Sequence, residues 1–417
     1  MESGGRRGTV IAVAIVALAA GYGQFGAVAA LGEVAKTFGH PIHGGSLVEQ
    51  AGLSGTVLGV GLATLRLASV FGLPLAAAAD RLGRRGTLIW WTILGLAATM
   101  AAATSPSYWW FVAIFALGRP LLSAAAALAQ VVTAEISRPS RRAGALAFVS
   151  AGYGLGAGVN ALTHSALRGI AGFRILFLTS MIPLVIVIFV AKLIPEPVRS
   201  SEADDVVKPR FAMVGPGLGL RLTTVMGLIL ATSIISAPAS SFVYLYAENV
   251  THLAKGVESA MIVSAALVGL FGLMLGRRVA DDIGRRPAIA IGVSGIAGGT
   301  LVTYSGGRPA VVIGFLLGVL ATGFLAPAGT AFPNELFPTS VRASVAGWGI
   351  VAGVAGAVIG LILFGTIADR TGSFFIAAGI TALAAVFSLL LVIRLPETRG
   401  TELVGTLGSD GALGKRE

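Results

Sequence analysis

Apolar residues run through this chain in twelve long stretches, and charged residues punctuate them. The stretches cover 9–35, 51–76, 86–104, 107–134, 143–166 and 173–194, then 217–247, 257–276, 287–305, 309–333, 343–367 and 373–394. Most reach the roughly 20 residues that cross a bilayer as a helix. The alternating ten-residue pattern of an outer-membrane barrel is missing. The pattern therefore predicts an all-α integral membrane protein with twelve transmembrane helices. The longest polar break, 195–216, holds Glu202, Asp204, Asp205, Lys208 and Arg210. It predicts a linker between two six-helix bundles, 1–194 and 217–395, with a tail over 396–417.

The charged punctuation repeats. Asp80-Arg81-Leu82-Gly83-Arg84-Arg85 returns as Asp281-Asp282-Ile283-Gly284-Arg285-Arg286, a shift of 201. Glu135 and Arg142 return as Glu335 and Arg342, and Pro195-Glu196 returns as Pro396-Glu397. Three motifs in one order at nearly one offset predict a tandem duplication, and so two pseudo-symmetric bundles.

Composition agrees. Hydrophobic residues make up 55% of the chain and charged residues 12%. Soluble domains carry roughly 25% charge. The 58 glycines suit close helix approach in lipid. Cysteine is absent, which excludes disulfides and thiolate metal sites. The net charge of +11 does not point to nucleic acid, because its residues sit in short loops. Counted by loop, 22 Lys and Arg fall on the side of the termini and 6 on the other. The positive-inside rule then puts both termini in the cytoplasm. The first stretch follows Arg6 and Arg7, is too long for a signal h-region, and reads as the first span.

The loop from Ala76 through Asp80 to Arg85 resembles the signature between the second and third spans of the major facilitator superfamily. The usual first glycine is Ala76 here. The second copy has Arg277 at that place and Asp282 where arginine is usual. The likeness covers essentially the whole chain. It implies a secondary transporter working by alternating access, with no cofactor. It also implies that the loop charges gate the cytoplasmic face: Asp80, Arg84, Arg85, Glu135, Arg142, Asp281, Arg285, Glu335 and Arg342. Glu and Arg seven residues apart share a face where their segment is helical.

The runs Asn334-Glu335-Leu336-Phe337-Pro338 and Leu395-Pro396-Glu397-Thr398-Arg399 are similar to the sugar-porter and metabolite:proton symporter branches. The sugar porters' paired glutamines in the seventh span are missing from Ala237 to Tyr246. The fifth span, Gly152 to Gly158, lacks the Gly-Pro ending of drug:proton antiporters.

Ionisable residues inside a bilayer are costly and usually face a cavity or a partner. Arg119 falls about 18 Å into the fourth span and Arg66 about 22 Å into the second, at 1.5 Å per residue. Their counterparts near Leu267 and Leu320 are apolar. A guanidinium suits a carboxylate bidentately, so Arg119, with Arg66, is the candidate anion site. The alternative is a structural Arg bonded to backbone carbonyls. Tyr22, Gln24 and Asn160 are further candidate substrate contacts, with helix packing as the other reading. Gln24 stands near the place where aromatic-acid symporters carry an aspartate. Glu33, near the outer end of the first span, remains a candidate proton carrier. His40 and His43 flank a loop proline, which makes no metal site. Trp90-Trp91 and Trp109-Trp110 read as interfacial anchors.

The function expected is transport of a small organic solute, an organic anion or other metabolite, coupled to protons. Drug efflux and an uncoupled facilitator are the alternatives. An enzyme would need a clustered nucleophile, metal set or phosphate loop, and none is present in the motifs. The duplicated plan argues against a channel. The partners expected are the solute, protons and the bilayer of a bacterial plasma membrane, with the protein a monomer.

Overall fold

The computed structural model describes residues 2–40, 49–138, 141–170, 172–195 and 219–399. Among them, twelve helices are long and apolar enough to span a membrane. The first six are α1 (Gly8–Ala29), α2 (Gly55–Leu82), α3 (Arg84–Thr104), α4 (Tyr108–Ile136), α5 (Gly144–Leu167) and α6 (Phe173–Leu193). The second six are α7 (Gly219–Val250), α8 (Lys255–Asp282), α9 (Arg285–Tyr304), α10 (Arg308–Leu336), α11 (Ser344–Thr371) and α12 (Phe374–Arg394). Of the expected linker only Pro195 is described, and of the tail only the part up to Arg399; the remainder lies outside the described residues, as does His43.

Each helix follows an expected apolar stretch, and the departures are local. The first stretch divides: α1 stops at Ala29 and a separate helix, Leu31–Phe38, carries Glu33. α2 starts later than expected. Gly52 turns the chain at φ +107°, a conformation costly for any side chain. Ser54 Oγ then accepts from the Val57 N–H, capping the helix. α2 and α8 run on past their apolar stretches to take in Asp80 and Asp281.

The spans are gathered by three apolar cores. One draws on both halves: Leu58, Phe111 and Phe173 of α2, α4 and α6 join Phe242, Tyr246, Phe364 and Phe374 of α7, α11 and α12. These residues lie at the end remote from the signature loops, called here the far end. At the loop end the cores separate. Val13, Leu88, Leu128 and Val132 form one cluster. Val225, Ile289, Phe324 and Phe332 form another. The two halves are thus sealed together at the far end and parted at the loop end.

The seal needs backbones in near contact. α2 lies along α11, and α5 against α8. A Cβ on Gly365 would stand 2.0 Å from the Gly55 carbonyl oxygen, a distance no side chain tolerates. Outside the bundle, Phe71, Trp90, Trp109, Trp110, Leu117, Phe189 and Leu267 are exposed. An apolar surface this broad is satisfied by lipid, and the chain is a multi-pass membrane protein.

Candidate functional site

At the loop end the repeated charges build two matching networks. In the first half, Arg84 Nη2 donates to Asp80 Oδ1 at 2.9 Å, and its Nη1 pairs with Glu135. In the second, Arg285 Nη1 donates to Asp281 Oδ1 at 2.6 Å and Nη2 to Glu335 Oε1 at 3.0 Å. Thr398 Oγ1 donates to the other oxygen of Glu335 at 2.5 Å. The next arginine in each copy reaches back to a helix end. Arg85 Nη2 donates to the Ala191 carbonyl at 3.2 Å, and Arg286 Nη2 to that of Ile393 at 2.8 Å.

Glu397 caps α9. Its carboxylate accepts the Arg285 N–H at 2.8 Å and the Arg286 N–H at 3.0 Å. Burial works to raise this carboxyl. The backbone N–H groups of Arg285, Arg286, Arg399 and Thr398 outweigh it and hold the carboxyl below its ordinary value.

The condition for Glu135 and Arg142 to share a face is not met, because α4 ends at Ile136 and Ser137 is extended. In the second copy Phe337 is extended (φ −123°, ψ 141°) and Pro338 follows, so the helical register between Glu335 and Arg342 is lost. Arg342 Nε donates instead to the Phe337 carbonyl at 2.9 Å. Each glutamate takes the signature arginine, Arg84 or Arg285, as its partner. The described pairs at this end join residues of the same half.

The two intramembrane arginines lie equally far along their helices. Arg66 and Arg119 each lie eleven residues past the first residue of their helices, Gly55 and Tyr108. α2 begins four residues after its expected stretch and α4 one residue after, which makes the two counts equal. Arg119 is buried, and its Nη1 donates to the Gln24 backbone carbonyl of α1 at 2.8 Å. Its Nε is buried without a partner. Arg66 is only partly buried. Among the described residues, no carboxylate stands within 4 Å of either guanidinium.

The other three candidates pack near α1. The Tyr22 hydroxyl hydrogen-bonds the Thr179 hydroxyl at 2.6 Å, inside the first half. Gln24 is buried and offers its backbone carbonyl to Arg119. Asn160 is buried on α5 beside Gly26, with its Oδ1 unpartnered. Arg119 and Gln24 therefore meet, whereas the Tyr22 hydroxyl is committed to α6.

The far end holds polar groups that pattern reading passed over. Asp369 of α11 accepts the Gly55 N–H at 2.6 Å and the Thr56 N–H at 2.7 Å. Asn249 Nδ2 donates to the Gly32 and Ala51 carbonyls at 2.9 and 3.0 Å. Asn249 and Glu248 sit on a π turn closing α7, where the Thr251 N–H reaches five residues back to Tyr246. Glu248 Oε1 lies 2.6 Å from His164 Nε2 of α5. Arg168, just past α5, pairs with Glu258 of α8. The signal was available: Glu248, Glu258 and His164 each border a predicted span. Linear distance gave no reason to group them.

Glu33 borders this cluster. Burial raises its carboxyl above the ordinary value, His164 pulls it down, and Glu248 pushes it further up.

Comparison with known proteins is consistent across sequence and structure. The family model described as Major Facilitator Superfamily matches residues 13–304 and 262–406. A "Probable 4-methylmuconolactone transporter" of Cupriavidus pinatubonensis is 27% identical over 375 residues, 84% of each chain. A "D-xylose-proton symporter-like 3, chloroplastic" of Arabidopsis thaliana is 28% identical over 223 residues, 49% of this chain and 38% of that protein. Among solved structures, the inward open conformation of the xylose transporter XylE from E. coli superposes with TM-score 0.70 at 19% identity. That match covers 94% of this chain and 97% of XylE.

Proposed function

The chain belongs to the major facilitator superfamily and is a transporter of a small organic solute; on that premise we propose that its solute is an organic anion, carried with protons. The Arg119–Arg66 pair carries this reading. Two guanidiniums equally far along their spans, with no carboxylate paired to either among the described residues, leave positive charge uncompensated in a low-dielectric interior. An anion entering between the halves supplies the missing charge, and the free Nε of Arg119 offers a further donor. The names of the relatives, which speak of a lactone and of a sugar with a proton, support an organic metabolite as cargo.

The charged loops face the cytoplasm by the positive-inside rule. The parted loop end is then the inside, and this is an inward-open state. Alternating access requires the far-end seal to break while the loop end closes. Asp80, Arg84, Arg85, Glu135, Asp281, Arg285 and Glu335, with Arg142 and Arg342, form the rim that closes. The protein acts as a monomer in a bacterial plasma membrane.

Flux into liposomes tests the anion site. A panel of carboxylate metabolites is screened by thermal shift, and hits are assayed with Arg119→Ala and Arg119→Lys. Loss of at least tenfold in apparent affinity, partly restored by Lys, is expected. Unchanged affinity for an anionic solute in both variants overturns the reading.

A further inference from the structure

Three side chains of metal-ligand type converge where the halves meet at the far end. His164 comes from α5 of the first half, Glu248 from α7 and Glu258 from α8 of the second. One donor atom of each lies within 4.8 Å of the other two. The side chains are 1%, 3% and 0% exposed. Glu248 Oε1 stands 2.6 Å from His164 Nε2. Glu258 gives Oε2 to Arg168, whose Nη2 donates to the Leu253 carbonyl at 2.6 Å. The other oxygen, Glu258 Oε1, is buried with no hydrogen-bond partner. A buried acceptor left unsatisfied is costly, and its lone pairs stand ready for a cation.

A fourth donor stands at the entrance. A cavity of about 400 Å³ reaches the set, lined by Glu33, Lys36, Arg168, Glu248 and His252 among others. His252 is exposed, and its Nδ1 faces the Glu248 backbone carbonyl at 3.2 Å. A carbonyl only accepts, so the neutral ring carries its proton on Nδ1 and presents Nε2 as a lone pair. Histidines that ligate metals are oriented by this kind of bond from their other nitrogen.

Donor chemistry selects the ion. Imidazole nitrogen with carboxylate oxygen is a zinc set, with bonds of about 2.0–2.2 Å and ligand atoms roughly 3.4 Å apart in a tetrahedron. At most 4.8 Å separates the donors here, so shifts of about one bond length reach that spacing. Magnesium and calcium take all-oxygen sets, and histidine disfavours them. Charge agrees. With Glu33 at its border the set holds three carboxylates against Arg168, and Lys36 is exposed to solvent. Fully ionised, it carries two uncompensated negative charges, which a divalent cation offsets.

We propose that His164, Glu248 and Glu258, with His252 at the mouth, bind a divalent transition metal of the zinc class, and that the bound ion staples the far end shut. The ion takes the place of the proton in the His164–Glu248 contact, and that proton leaves to water. Glu258 binds through its orphaned oxygen while Arg168 keeps the other. Ligands from both halves meet only while the far end is closed. The metal therefore binds that state and holds it by its differential affinity, acting as a brake on transport. The staple rests on alternating access, whereas the site itself does not.

The test uses the full chain, without a histidine tag, stripped by chelator and held in lipid nanodiscs. Titration with ZnCl2 is expected to raise the melting temperature saturably, and MgCl2 or CaCl2 at the same concentrations should not. His164→Gln should raise the half-saturating zinc concentration about tenfold or more, and the exposed His252→Ala several-fold. The other two of the four histidines are the control: His40→Ala/His43→Ala should titrate as the unaltered protein. X-ray absorption at the zinc edge should show imidazole ligation. Titrations unchanged in both His164→Gln and His252→Ala, or lost in the His40/His43 variant, overturn the site. The staple is read separately. The sequence has no cysteine, so Ser107→Cys and Ser305→Cys place spin labels on exposed far-end turns of opposite halves without background. Zinc is expected to lower the long-distance population several-fold, most clearly where Asp369→Ala has raised it. If Asp369→Ala lengthens the distance and bound zinc leaves it long, alternating access stands and the staple falls. A distance fixed under every condition overturns alternating access and the staple together, and the titration still decides the site.

Discussion

The Asp369 carboxylate caps the first turn of a helix in the other half of the protein, accepting the Gly55 N–H at 2.6 Å. Its second oxygen accepts the Thr56 N–H at 2.7 Å and the Thr56 hydroxyl at 2.5 Å. A helix N-terminus carries partial positive charge and unpaired N–H groups, so a carboxylate is well placed there. The cap is also a latch, because Asp369 is on α11 and its donors are on α2.

Removing the latch should open the far end. Hydrogen bonds to charged groups contribute about 1.5–3 kcal/mol each, and 1.4 kcal/mol is a factor of ten in a population. Asp369→Ala is expected to raise the reactivity of a cysteine at Ser54 toward an impermeant maleimide by about tenfold or more. Unchanged labelling would show that the cap contributes nothing to closure.

The glycine contact beneath that latch leaves no room for a methyl group. Gly365→Ala would bring a Cβ within 2.0 Å of the Gly55 oxygen, and backbone cannot retreat as a side chain end can. The expected outcome is loss of most transport and a shift of the labelling pattern toward the open far end. Gly86→Ala, with nothing within 4 Å of its Cβ, should behave as the unaltered protein.

Tyr22 should matter for stability more than for binding. Its hydroxyl is spent on Thr179. Tyr22→Phe is expected to lose about 1 kcal/mol of stability, as for a typical hydrogen bond, while solute affinity stays within twofold. Affinity falling in parallel with Arg119 variants would instead put the hydroxyl in the solute's path.

Glu33 gives a pH dependence with a definite sign. Burial, the leading cause, raises its carboxyl above the ordinary value, so the folded protein holds this proton more tightly than the unfolded chain. Its contribution to stability is full below the ordinary glutamate value and is lost as pH rises through the raised one. Glu33→Gln should therefore raise the melting temperature at neutral pH and not at acid pH. Equal melting shifts at both would remove the assignment.

Glu397 runs the other way. The N–H groups of Arg285, Arg286, Arg399 and Thr398 overcome the effect of burial and lower its carboxyl. That stabilisation is present above the ordinary glutamate value and fades as pH falls through the lowered one. Glu397→Gln should flatten the acid limb of a melting-temperature profile by a small amount, since the side chain is exposed.

The spans were legible because hydrophobicity and length act locally: a stretch such as 373–394 can meet lipid only as a helix that satisfies its own backbone. The family was legible for a related reason. Loop charges such as Asp80 and Arg84 are four residues apart across the Gly83 turn, a spacing that survives in one dimension. Arg66 and Arg119 stood out because charge inside an apolar run needs no fold to be conspicuous. The pairing of Glu135 with Arg84 in place of Arg142 did not, since it depends on where α4 breaks.

What sequence determined by itself is therefore the set of rods, their duplication and the presence of charge within them. Tertiary structure alone decided which end is sealed, because sealing is a relation between Gly55 and Gly365, or His164 and Glu248, that no single segment encodes. Residues 84 or more positions apart become neighbours only when two halves meet, and their energies depend on the burial that meeting creates.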